Sequence, residues 1–63
     1  MVLITKLKFI GISYIIDAHI VVDPHISVTE AHNIATEVEN ALREKYGNET
    51  QINIHIEPDQ DSL

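Results

Sequence analysis

Histidines and nearby acids are the residues of this chain whose types and spacing could do chemistry, since it has four histidines and no cysteine. His55 and Glu57 stand two positions apart in an alternating segment, which in a β-strand places them on one face, roughly 6.5 to 7 Å apart. His19 lies on the polar face of another alternating segment. Neutral imidazole and carboxylate groups suit Zn(II) and related divalent cations. The three residues therefore predict a metal site, and the simpler alternative is that they only face water.

The other two histidines lie outside these alternating segments. His32 follows Ala31 on a predicted helix, about 115° from the middle of its apolar stripe at roughly 100° per residue, so it flanks the helix–sheet contact. It is interpreted either as a boundary residue or as a ligand. Because the strand histidines point away from the helix, His32 and His19 need not share one ion within a chain. They could meet across a dimer or at the sheet edge, or they could serve separate ions. His25, in a Pro-His-Ile turn, is predicted to be solvated rather than a ligand.

Four segments with regular patterns supply the elements that position these residues. Residues 3–10 and 14–22 are rich in β-formers and alternate, which predicts two strands. A capping box at residues 27–30, followed by periodic apolar residues, predicts a helix that ends at Gly47. Residues 51–57 alternate strictly and predict a third strand. The predicted fold class is therefore α+β: a ββαβ three-stranded sheet with one helix on one face, which is half of a ferredoxin-like sandwich.

The predicted core joins alternate residues of the second and third strands to the apolar stripe of the helix. Pro58 closes the third strand because proline lacks an amide donor, and residues 58–63 are predicted to be a disordered tail. Residues 1–63 are interpreted as a single domain. The strand residues expected to face inward are Ile16, Ala18, Ile20, Val22, Ile52, Ile54 and Ile56.

Charge and length restrict the partners of the chain. Ten acidic residues against four Lys and Arg give a net charge of −6, which argues against nucleic acid and anionic membranes and favours a cation. A 63-residue domain without cysteine is expected to gain stability from a metal or another copy. Apolar stretches such as residues 10–16 are shorter than the roughly 20 residues of a membrane helix. We expect a cytoplasmic domain that does not insert into a membrane.

Motifs of common enzyme sites are missing from the sequence. There is no Gly-rich phosphate loop, nucleophile elbow, His-Glu-x-x-His helix or Cys-x-x-Cys pair. The hydroxyl of Ser27 is assigned to the helix cap, so it is not a free nucleophile. We therefore predict that the chain is not an enzyme, although an acid–base role for His and Glu is kept as a rival hypothesis.

Three sequence blocks together resemble the cytosolic C-terminal domain of cation diffusion facilitator transporters. They are residues 14–24 (YIIDAHIVVDP), 27–32 (SVTEAH) and 54–58 (IHIEP), in that family's order and spacing. The resemblance spans about residues 11–58. Compared with that family, the usual first helix before the hairpin does not precede the matching region, and the six-helix membrane part is absent.

The resemblance implies a regulatory domain that binds divalent metal, most simply Zn(II), and forms a V-shaped homodimer that controls transport by a cation efflux transporter. It also implies a ferredoxin-like, metallochaperone-like fold and the transmembrane domain of the parent transporter as a partner if the chain is a fragment. The family's ligands fall here on His19, His32, His55 and Glu57. This agrees with the strand residues chosen above and adds His32.

Two other interpretations of the same residues remain open. The chain could be a structural dimerisation domain that works without metal, or a free-standing soluble relative that binds metal. The metal itself is also open, because nitrogen and oxygen ligands suit Mn, Fe, Co, Ni and Cu as well as Zn.

Overall fold

Three strands and one helix form the domain, in the order that the sequence predicts. The computed structural model describes residues 1–60, with β1 at Val2–Ile10, β2 at Ser13–Val22, α1 at Val28–Tyr46 and β3 at Gln51–Pro58. The sheet order is β1-β2-β3, with β1 antiparallel and β3 parallel to the central β2. The predicted α+β, ββαβ fold class is confirmed, and no helix precedes β1 within the described range.

The core lies on one face of the central strand. Ile16, Ala18 and Ile20 of β2 are at most 1% exposed, and they are spaced two residues apart so that all three point towards α1. On β3, which is an edge strand, Ile52 and Ile54 are half-buried while Ile56 remains 41% exposed. Burial of this core face is therefore concentrated on the strand with a neighbour on both sides.

The helix begins and ends at the residues that the sequence indicates. The Ser27 hydroxyl accepts a hydrogen bond of 3.0 Å from the amide of Glu30, which satisfies one of the free donors of the first turn. At the other end the Gly47 amide donates to the Arg43 carbonyl at 2.8 Å. Gly47 has φ 111°, a conformation that side chains with a Cβ rarely adopt. Both ends of α1 are thus determined by local sequence.

The first strand differs from the rest of the domain because α1 packs only against β2 and β3. Every residue of β1 is exposed. Its register with β2 places some of its apolar side chains on the sheet face that packs against α1, beside the core. The residues on this open apolar strip are Val2, Ile4, Leu7 and Phe9, each 45–59% exposed.

The end of the described chain is still part of the sheet. Pro58 is the last residue of β3, and the Asp59 amide donates to the Val22 carbonyl at 2.8 Å. Hydrogen bonding therefore continues one residue beyond the point where the tail of residues 58–63 is predicted to begin. Residues 61–63 of that tail lie outside the described residues.

Candidate metal centre

The two strand histidines lie side by side on the sheet face that α1 leaves uncovered. The parallel register pairs His19 of β2 directly with His55 of β3. Their rings stack with centroids 4.9 Å apart and planes inclined by 25°. Pairing across two strands thus brings together residues that are 36 positions apart in the sequence.

Glu57 joins this pair by a diagonal contact between the strands. Its Oε1 atom lies 2.5 Å from His19 Nδ1, and the two side chains are 51% and 32% exposed. An ionised carboxylate can only accept a hydrogen bond, so this contact requires a hydrogen on Nδ1 of His19. The carboxylate therefore has a protein partner, and the Nε2 atom of His19 is the one that this contact leaves free.

A second polar pair lies next to the histidines on the same face. The Asn53 side-chain amide donates to Asp17 Oδ1 at 2.9 Å, and the register places this pair two residues before the histidine pair. The Thr5 hydroxyl also donates to the Asp17 carbonyl at 3.3 Å. The sequence analysis did not single out Asp17 or Asn53 as a pair. The sequence signal for this hydrogen bond was a carboxylate and an amide side chain, each placed two residues before a histidine.

His32 lies on the other side of the sheet. It is exposed on α1 and borders a groove of about 330 Å³ whose floor includes Ile54 and Ile56, two residues of the core face. Because β3 alternates, those isoleucines point away from His55 and Glu57. The sheet therefore separates His32 from the strand histidines within one chain. His25 is exposed in the turn before α1, where its backbone amide donates to Asp23 Oδ1 at 2.8 Å.

The arrangement fits a divalent cation in donor type but is incomplete in donor number. Within residues 1–60 no group of three or more His, Cys, Asp or Glu side chains is arranged to hold an ion. Two imidazoles lie on the open face, while Zn(II) prefers four ligands in a tetrahedron. Moreover, an ion binds in the plane of an imidazole, so nearly parallel rings cannot meet one ion until one of them turns. A single chain in this arrangement therefore offers part of a site.

The fold and the paired histidines define a class: a small α+β domain of ββαβ topology with candidate cation ligands on its open sheet face. A family model described as cation efflux protein, cytoplasmic domain, matches residues 6–59. The chain belongs to this family, which confirms the resemblance noted from its sequence blocks and the predicted cytoplasmic location. The family comprises the cytoplasmic part of transporters and is not an enzyme family; the lack of catalysis in this chain stays a prediction.

Comparison with curated proteins finds a relative that is much longer than this chain. The chain is 35% identical over 54 residues to the uncharacterized transporter YdbO of Bacillus subtilis (strain 168). The match covers 86% of the chain but 18% of that transporter. No solved structure matches the chain. In the part of the chain that the structure describes, no helix is long and apolar enough to cross a membrane.

Proposed function

We propose that this domain regulates a cation efflux transporter by binding a divalent cation, with zinc the first candidate, and by associating with a second copy of itself. The observation that carries the proposal is the His19–His55 pair with Glu57 on an uncovered sheet face. Membership in a cation efflux family supports a cation as the ligand. The name of the family model, ZT_dimer, supports association between copies.

The incomplete donor set is the physical reason for coupling metal to association. Two imidazoles from one chain bind an ion weakly, and further donors come from water or from another copy. His32, on the opposite side of the sheet, reaches the ion of a strand pair only when it belongs to a second copy. Each chain also carries a net charge of −6, so two chains repel each other and a bound cation reduces that repulsion.

Control of transport then follows from a shift between two arrangements of the paired domains. The cation binds better to the arrangement in which ligands of both copies face one ion, and it favours that arrangement by the difference in affinity. The membrane part of the larger protein is the partner that senses this change. Mn, Fe, Co, Ni and Cu bind to the same ligand types as zinc. We therefore expect the affinities of the domain for these divalent metals to follow the Irving–Williams order, so that zinc is not bound exclusively.

Isothermal titration of the metal-stripped domain with Zn(II), with sedimentation at each zinc level, tests the proposal. We expect micromolar or tighter zinc binding that a chelator reverses. We also expect zinc either to cause dimer formation or to make an existing dimer more compact. The double variant His55→Ala/Glu57→Ala should lose most of this binding, because it removes one imidazole and the partner of the other. Zinc binding equal to the parent in the double variant would show that the site is assigned to the wrong residues.

A second candidate function is a dimerisation domain that needs no metal. One observation favours it: the exposed apolar side chains of Val2, Ile4, Leu7 and Phe9 lie together on β1, on a face that contains none of the strand histidines. The open apolar strip of β1 offers a separate surface for association. A dimer of unchanged mass and compactness with and without zinc, and no heat of binding, would select this function.

A further inference from the structure

The contact between Glu57 and His19 bears on which of two roles the Glu57 carboxylate has near a metal. It could be a ligand itself, as the family resemblance implies, or it could hold a ligand. Oε1 of Glu57 lies at 2.5 Å from Nδ1 of His19, across the two parallel strands. We propose that Glu57 is a positioning residue: it keeps the hydrogen of neutral His19 on Nδ1 and leaves Nε2 as the atom that meets the cation. This inference rests on the proposed function for its second half only.

The argument starts from the hydrogen-bonding capacity of the two groups. A carboxylate has acceptors but no donor, so the contact exists only when Nδ1 carries the hydrogen. A neutral imidazole has one N–H group and one lone pair, and the lone pair is then on Nε2. An acceptor behind the ring also orients the ring and raises the basicity of the ligating nitrogen. Glu57 therefore prepares His19 for a cation without touching it.

The same contact distinguishes the two histidines. His19 is half-buried on the central strand and held at Nδ1, whereas His55 is exposed on the edge strand. Because the ring planes are inclined by only 25°, one ring has to turn before both face a single ion. We assign this movement to His55. If Glu57 instead moved onto the ion, His19 would lose the partner that fixes its ring.

The tautomer of His19 tests the first half of the proposal without any metal. Long-range ¹H–¹⁵N correlation spectra of the metal-free protein, at a pH where the imidazoles are neutral, distinguish Nδ1–H from Nε2–H forms. We expect the Nδ1–H form at His19 and a smaller share of it in Glu57→Ala. Glu57→Gln should keep that form, since the amide oxygen of glutamine also accepts. An Nε2–H form at His19 in the parent would overturn the proposal.

Zinc affinities of the same two variants test the second half. Loss of an outer partner costs about 10–100-fold in metal affinity, so Glu57→Ala should fall in this range and Glu57→Gln should lie closer to the parent. A direct carboxylate ligand would be lost equally in both variants, and equal losses would therefore contradict the proposal. Glu44→Gln, an exposed acid on α1, controls for the change in charge.

Cadmium identifies the ligating atom directly. With ¹¹³Cd bound to ¹⁵N-labelled protein, we expect coupling between the metal and Nε2 of His19, and coupling to Nδ1 would overturn the assignment. Failure of the proposed function has a different signature. If the parent binds neither zinc nor cadmium, the metal role of Nε2 is excluded together with the proposed function, while the tautomer still decides whether Glu57 positions His19.

Discussion

At the scale of single residues, the candidate centre depends on two imidazoles of unequal freedom. His19 is held by Glu57, while His55 is exposed on the edge strand and stacks on it. Removal of a group that hydrogen-bonds to a metal ligand lowers metal affinity by roughly 10–100-fold. We predict that His55→Ala weakens zinc binding by more than this, because the variant removes a metal ligand itself. Isothermal titration measures this loss. His25→Ala, which removes an exposed histidine of the turn, should bind zinc like the parent.

The Asp17–Asn53 bond is the residue-scale feature that holds the two strands together beside the histidines. Asn53→Ala removes a donor at 2.9 Å from a half-buried carboxylate. We expect the free energy of unfolding to fall by about 0.5–1 kcal/mol, at the low end for hydrogen bonds because the pair is partly solvated. Urea denaturation measures this change. The control is Gln51→Ala, another exposed residue on the same face of β3, and an equal loss there would show that the bond is not the cause.

At the scale of elements, β1 and β2 differ in what covers them although both are apolar. Ile16 of β2 is fully buried, while Leu7, its partner in the register, is 49% exposed. Ile16→Ala should lower the free energy of unfolding by about 2–5 kcal/mol through lost burial and a cavity. Leu7→Ala in the monomer should cost less than about 1 kcal/mol, since much of its side chain already meets water.

Denaturation at two protein concentrations checks this pair of variants. In dilute, metal-free protein the two losses should differ as stated, because only Ile16 is covered within one chain. A loss for Leu7→Ala that matches Ile16→Ala in dilute protein would contradict the exposed position of β1. A loss that grows with protein concentration would instead indicate that a second copy covers the strip.

The elements were predictable from the sequence wherever a signal was local. Alternation, the Ser27 cap and Gly47 predicted strand and helix positions to within one or two residues. The faces of β1 were not predictable, because a register shift between Ile4 and Lys6 breaks its alternation, as expected at a bulge. The contacts of the candidate centre depend on pairing between distant strands. Alternation places His55 and Glu57 on one face, but only the register with β2 shows that Glu57 reaches His19.

At the scale of the whole molecule, the domain has a small core, an exposed apolar strand and a strong negative charge. Its stability is therefore expected to depend on the ligands and partners that bind to it. Three fully buried apolar side chains lie in the core of the described residues, and the net charge is −6. Ligands that bind only the folded state add to its stability by an amount set by their concentration and affinity. A cation that also links two copies adds the surface buried between them to this gain. The melting temperature is therefore a sensitive reporter of metal binding.

We predict that zinc at a hundredfold excess over its Kd stabilises the domain by about 2.7 kcal/mol, which corresponds to a rise of roughly 10–20 °C in Tm for a domain of this size. Calorimetry with and without chelator measures the shift, and higher protein concentration should increase it if the ion joins two copies. His55→Ala/Glu57→Ala should melt at the same temperature with and without zinc. A parent protein whose Tm is unaffected by zinc would instead be a scaffold that associates through β1, and its dimer would then weaken on Leu7→Ala rather than on chelation.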